Sequence, residues 1–144
     1  MLKIYLAGKM SGLTYEVMNA WRIGENICLL DMAGYYSEKI NVINPVLYYN
    51  FEEKRHQSEI EVEEYDLAHV VSSDIIIVNL EGLQDSIGTI IELHDAHYHH
   101  KIPVIAFGDK KLYDDLHPWV KNDITRVEDN INDVVAYIRD FYMF

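Results

Sequence analysis

The stretch Asp74-Ile-Ile-Ile-Val-Asn-Leu-Glu-Gly-Leu-Gln-Asp-Ser-Ile-Gly-Thr-Ile-Ile-Glu92 decides the fold. Its unbroken apolar run from Ile75 to Val78 suits a central parallel strand, because a strand buried on both faces has no polar positions to alternate with. Asp85, Ser86 and Gly88 then supply turn and cap chemistry, so a helix begins there and carries Glu92 in its second turn. Cβ bonds lean toward a helix N-terminus. The Glu92 carboxyl is therefore expected to point back to the crevice beyond the strand's carboxyl end, where open α/β sheets bind ligands.

Working outward, the same alternation of strand and helix runs through the chain. Lys3 to Ala7 reads as a first strand that enters Gly8-Lys9-Met10-Ser11-Gly12, a small-residue loop whose backbone amides can approach a ligand closely. This loop lacks the GxGxxG spacing of a dinucleotide site. Apolar positions from Tyr15 to about Met32 recur at helical spacing, with Gly34 placed to stop the helix, and Val42-Ile43-Asn44-Pro45 reads as a strand ended by proline. Tyr48 to Lys54 is irregular, polar and aromatic. A helix from Gln57 to Val71 carries Asp66. After the Glu92 helix come a strand Val104 to Phe107, a short helix near Lys111 to Leu116, a strand at Ile124 to Val127 and a last helix from about Asn130 to Phe141. The expected fold is α/β, a single doubly wound five-stranded parallel sheet in the flavodoxin-like order 2-1-3-4-5.

A chain of 144 residues and 16.8 kDa is most simply one domain, 1–144, and no linker or repeat divides it. The single Cys28 excludes an internal disulfide framework and fits a reducing compartment. No early apolar segment precedes a small-residue cleavage site and no apolar run reaches about 18 residues. A soluble cytoplasmic protein with no membrane partner is expected. The net charge of −12 disfavours a nucleic-acid polymer, while a pocket with a few donors still admits a small anion. His94, His97, His99 and His100 suggest a metal at first sight, but one helix face does not converge on a tetrahedral site, and no metal or cofactor is expected. The acidic run Glu59 to Asp66 has neither the spacing nor the turn glycine of a calcium loop and reads as a solvated helix face.

Several motifs stand in a fixed order. Tyr5-x-x-Gly8 closes the first strand, Asp66 lies eight residues before Asp74, and Ser86-x-Gly88-x-x-x-Glu92 leads to Lys101-x-Pro103-Val104. Together they resemble the nucleoside 2-deoxyribosyltransferase superfamily over nearly the whole chain, and are closest in motif to its 2′-deoxynucleoside 5′-phosphate N-hydrolase branch. The opening Ile4-Tyr5-Leu6-Ala7-Gly8-x-Met10-Ser11-Gly12 also resembles small, often phage-encoded members. The resemblance implies cleavage of the N-glycosidic bond of a nucleoside or nucleotide, with Glu92 attacking the anomeric carbon and Tyr5 orienting it. Asp66 would hold sugar hydroxyls or assist protonation of the departing base. The residues' own chemistry agrees on one point: a carboxylate early in a helix is expected to stay ionised, as a nucleophile must.

Ser86 bears on substrate choice. At this position the transferases carry an aspartate that holds the sugar's 5′-hydroxyl, whereas the related hydrolases carry serine and accept a 5′-phosphate. A hydroxyl beside free helix amides binds a phosphate that an aspartate would repel. Lys9 and Ser11 would add donors. Ser86 as an ordinary N-cap, with Asp85 taking the 5′-hydroxyl, is the alternative. The resemblance further implies a homo-oligomer in which a neighbouring subunit completes each pocket from the segment Asp114 to Trp119, with Asp115 and His117 as candidates. The expected activity is hydrolysis of a 2′-deoxynucleoside 5′-monophosphate. Base exchange between nucleosides, or nucleotide binding without turnover, are the alternatives.

Overall fold

The computed structural model describes residues 1–25, 27–28 and 39–143. Five parallel strands form one sheet, β1 (Leu2–Ala7), β2 (Ile40–Ile43), β3 (Ile75–Asn79), β4 (Val104–Phe107) and β5 (Arg126–Glu128), in the order β2-β1-β3-β4-β5. This is the expected 2-1-3-4-5 order. β1, β3 and β4 are central because their apolar runs leave no face for water: Ile4 to Ala7, Ile75 to Val78 and Val104 to Phe107 are all buried. The register pairs Tyr5 with Ile76 and Ile76 with Val104, so side chains on one face stack in a row across the sheet.

Two cores result, one on each face. Ile4, Leu6, Ile75, Ile77, Ile105 and Phe107 pack against Val134 and Ile138 of the final helix, α6 (Ile131–Tyr142). Tyr5, Ala7, Ile76, Val78, Val104 and Ala106 face the other way, with Val70 of α2 (Glu59–Val71) and Leu93 of α3 (Ile87–His94). Tyr5 thus shares its side of the sheet with the helices that bear Asp66 and Glu92. Asp74 fixes the entry to β3, its Oδ2 accepting the Lys3 amide at 2.7 Å.

Several boundaries depart from expectation, among them β2, which runs Ile40–Ile43 rather than Val42 to Pro45 because Asn44 caps a short 3-10 turn that Pro45 opens. The first helix, α1 (Tyr15–Ala20), stops at Ala20 rather than running on toward Met32. The carbonyl of Met18, which an uninterrupted helix would offer to the amide of Arg22, instead accepts the Arg22 guanidinium, and that amide turns to Asn19. Leu29, Leu30, Met32 and Gly34 lie outside the described residues. α2 begins at Glu59 rather than Gln57, because Glu61 reaches back to the amide of Ser58 at 2.8 Å and holds it outside the first turn. The edge strand β5 starts at Arg126, since Thr125 already satisfies Val104 through both its amide and its hydroxyl. Two short helices, α4 (Lys110–Asp114) and α5 (Pro118–Lys121), replace the single one expected over Lys111 to Leu116.

Candidate active site

A cavity of about 790 Å³ opens at the carboxyl ends of β1 and β3. The loop Gly8-Lys9-Met10-Ser11-Gly12 forms one wall and the start of α3, from Asp85 to Glu92, the opposite one. Asp66 and its α2 neighbours Val62 and Glu63 form a third, and Tyr49, Asn50 and Phe51 lie over them. The fold therefore brings Gly8 to Gly12, Asp66, Ser86, Gly88 and Glu92 together. Tyr5 is 1% exposed and does not line the cavity, although its phenol interacts with Glu92.

Glu92 is half-buried as a residue, but its Oε2 is sealed from solvent without a hydrogen-bond partner. Burial pushes its carboxyl up from 4.5 to about 8, and the charge of Asp66 pushes the same way. The Tyr5 phenol and the Arg22 guanidinium offset part of this. The expectation that a helix start keeps this carboxylate ionised is thus corrected: burial and the neighbouring acid favour the protonated form of Glu92 at neutral pH. The reason is position. Glu92 stands a full turn inside α3, away from the unpaired amides that would favour charge, and is buried beside a second acid.

Asp66 is held by two phenols on the same oxygen. The Tyr48 hydroxyl donates to Oδ1 at 2.7 Å and the Tyr49 hydroxyl at 2.6 Å. Both phenols are pushed well above the ordinary tyrosine range, first by burial and then by Asp66. The Tyr48 ring is stacked on His69 with centroids 5.0 Å apart and meets the edge of Tyr65 at 5.1 Å. The sequence reading did not single out Tyr48 or Tyr49. The available signal was a pair of tyrosines shortly after Pro45, separated from it by Val46 and Leu47.

Arg22 is the other residue that went unnoticed. It is 2% exposed, its guanidinium donating to the carbonyls of Leu6 and Gly8 at 3.3 and 3.1 Å and to that of Met18. Its Cζ lies 4.6 Å over the Trp21 ring. Burial brings its pKa down to about 10, so it stays charged at neutral pH. Arg22 explains Gly8, where a Cβ would come within 3.2 Å of both Arg22 Nη2 and Trp21.

Ser86 stands at the N-cap position of α3, but its side chain makes no capping bond; Oγ lies 2.7 Å from Thr89 Oγ1. The ordinary N-cap reading is therefore not what the structure shows. The first α3 hydrogen bond to Ser86 comes from Ile90, at 3.0 Å, which leaves the amides before it without partners inside the helix. Lys9 lies across Gly82, where a Cβ would meet its Cδ at 2.6 Å. The cavity's basic side chains are Lys9, Lys54 and, when protonated, His56; its carboxyls are Glu59, Glu63, Asp66, Asp85 and Glu92.

Asp115 and His117 stand outside this cavity. Asp115 ends α4, and His117 caps α5, its Nδ1 accepting the Trp119 amide at 3.1 Å. Pro118 opens a helix instead of merely stopping one. The histidines bond elsewhere: His94 Nδ1 to buried Asp123 at 2.9 Å, His97 to the Ile102 carbonyl and His100 to the Asp95 carbonyl. Among the described residues no group of three His, Cys, Asp or Glu side chains could hold a metal, and no helix is long and apolar enough to cross a membrane.

The fold is that of known α/β proteins. The chain superposes on a conserved protein from Enterococcus faecalis V583 with a TM-score of 0.67 at 19% identity, over 97% of this chain and 98% of that one. It also superposes on a 2-deoxyribosyltransferase from the psychrotolerant bacterium Bacillus psychrosaccharolyticus with a TM-score of 0.50 at 22% identity, over 94% and 91% of the two chains. Likeness at these identities establishes a shared fold. No family model and no curated protein matches the chain.

Proposed function

We propose that this protein cleaves the N-glycosidic bond of a 2′-deoxynucleoside 5′-monophosphate, with Glu92 as nucleophile. The observation that carries the reading is the pair of carboxyls, Glu92 and Asp66, lining one cavity, with Asp66 held by the Tyr48 and Tyr49 hydroxyls. Mere binding of an anionic ligand has no use for two acids, whereas glycosyl transfer needs one group to bond the anomeric carbon and another to assist the leaving base. The 2-deoxyribosyltransferase that shares the fold is further support.

In the first step Glu92 gives up its proton, which leaves with the departing base, as its oxygen forms a bond to C1′ and the C1′–N bond breaks. In the second, water gives its hydroxyl to C1′ and its proton back to Glu92 as the ester bond breaks, and the free sugar phosphate departs. The monophosphate preference rests on the uncapped start of α3, with Ser86 Oγ and the first helical amides bordering the cavity and Lys9 facing them. A second reading, base exchange between nucleosides, is favoured by Asp85, an exposed carboxylate on the same rim that suits a 5′-hydroxyl and repels a phosphate. We further propose a homo-oligomer formed over the side of α3 and α5, where Ile87 is 74% and Trp119 78% exposed. Asp115 or His117 of one subunit would then reach the cavity of the next.

The test is chromatographic detection of free base from a panel of nucleosides and 5′-monophosphates, with and without an acceptor base. Base release from a deoxynucleoside monophosphate, lost in Glu92→Gln, is the expected result. Release by Glu92→Gln at the unmodified rate would remove Glu92 from the reaction.

A further inference from the structure

The path of the chain beyond β1 is set by a proline on the neighbouring strand. Leu2 donates at 2.6 Å to the carbonyl of Lys39, the residue before its register partner Ile40. In a parallel ladder of that phase the carbonyls of Leu2, Ile4 and Leu6 accept in turn from Asn41, Ile43 and the residue at position 45. That residue is Pro45, which has no N–H, so β2 offers Leu6 no donor. Arg22 takes its place. Its Nε donates to the Leu6 carbonyl at 3.3 Å, Nη2 to that of Gly8 at 3.1 Å, and Nη1 to that of Met18 in α1. Asn44, at the end of β2, holds α1 in position for this: its Nδ2 donates to Asn19 Oδ1 at 2.8 Å, and the Asn19 carbonyl accepts the Arg22 amide at 3.0 Å.

The hold on Gly8 decides the direction of the other half of the same peptide. Among the described residues no peptide bond is cis, so the Lys9 N–H is antiparallel to the Gly8 carbonyl. Arg22 is 2% exposed and lies outside the cavity, whereas Gly8 and Lys9 both line it. With the carbonyl turned to Arg22, the Lys9 amide is turned away from the buried side. It has no acceptor among the described residues, and neither have the amides of Met10, Ser11 and Gly12; Leu13 folds back to the Met10 carbonyl at 3.2 Å. We propose that Arg22 is a positioning residue for substrate binding, which presents the Lys9 amide to the cavity as a donor to the substrate's 5′-phosphate. This inference rests on the monophosphate reading above. Arg22 itself touches no substrate; it acts through the Gly8 carbonyl. Gly8 permits the approach, since a Cβ there would come within 3.2 Å of Arg22 Nη2 and the Trp21 ring. A main-chain donor already fixed in direction loses little freedom when the ligand arrives, unlike the long Lys9 side chain.

Amide NMR of the unmodified protein, titrated with 2-deoxyribose 5-phosphate and separately with 2-deoxyribose, tests the donor without turnover and without a variant. The Lys9 amide proton should move downfield as the sugar phosphate saturates and stay in place with the sugar. A Lys9 amide that is unmoved while the amides at the start of α3 respond overturns the proposal and leaves the monophosphate reading standing. No response anywhere to the sugar phosphate overturns both. Arg22→Lys frees the Gly8 carbonyl, because one ammonium cannot hold three carbonyls. With the variant shown by its unfolding curve to be folded at the assay temperature, KM for a deoxynucleoside monophosphate that releases base should rise at least about 10-fold, with kcat within about threefold. KM for the matching nucleoside, which has no phosphate to lose, should stay within about twofold. Equal loss on the two substrates is what a purely structural arginine gives, and it overturns the proposal. Failure of every substrate to release base would instead defeat the N-glycosidase reading, while the NMR titration still decides the role of the Lys9 amide.

Discussion

Glu92→Gln should make the fold more stable at alkaline pH and leave it nearly unchanged at acid pH. The substitution keeps the side chain's shape and removes its ionisation. In the unfolded chain the Glu92 carboxyl titrates near 4.5, and in the folded protein near 8. Below pH 4.5 both states hold the proton and Glu92 carries no penalty. Between the two values the unfolded chain releases the proton while the folded one retains it. Stability that is present below pH 4.5 is therefore lost as pH rises, until the loss is complete above about 8. The full displacement corresponds to on the order of 5 kcal/mol at about 1.4 kcal/mol per pH unit. Water entering from the open side of the cavity screens part of it, so a gain of about 2–3 kcal/mol is expected for Glu92→Gln at pH 9. For a domain of this size that is about 5–10 °C in Tm. Thermal and urea unfolding of both proteins at pH 4, 6.5 and 9 measure the difference directly, and titrating groups remote from Glu92 cancel in the comparison. A difference that does not change with pH, or an unmodified protein at least as stable as the variant at pH 9, would refute the reasoning. The residue proposed as nucleophile would then not be held against its own ionisation.

If a 5′-phosphate docks on the start of α3, Ser86→Asp should erase the preference for monophosphates over nucleosides, because each charge-assisted bond to phosphate contributes about 1.5–3 kcal/mol. The ratio of specificity constants in both proteins tests this, and an unchanged ratio would bring the transferase reading forward. Arg22→Lys should destabilise the fold by about 2–4 kcal/mol, since a single ammonium cannot reach the carbonyls of Leu6, Gly8 and Met18 together. Urea unfolding measures it, and a loss below about 0.5 kcal/mol would show that those carbonyls find other donors. Light scattering at micromolar concentration should report a dimer or larger assembly, and a fully active monomer would contradict completion of the cavity by a neighbouring subunit.

The sheet was legible from the sequence because its central strands are buried on both faces. Such strands appear as apolar runs at Ile4 to Ala7, Ile75 to Val78 and Val104 to Phe107 whatever surrounds them. The juxtaposition of Gly8, Ser86 and Glu92 was legible for a related reason. In a parallel sheet the chain leaves every strand at the same end, so the loops after β1 and β3 must meet. Only the tertiary structure decided the rest. The first helix breaks because Arg22 folds inward to carbonyls of β1 and the following loop, a competition that helical spacing does not record. Tyr48 and Tyr49 converge on Asp66 across 18 and 17 residues, and no local pattern marks such a contact. The protonation of Glu92 is the clearest instance: sequence position near a helix start argues for charge, and burial of Oε2 beside Asp66 reverses it. A pKa is set by the water and charge around a group, and those follow from which segments meet in space.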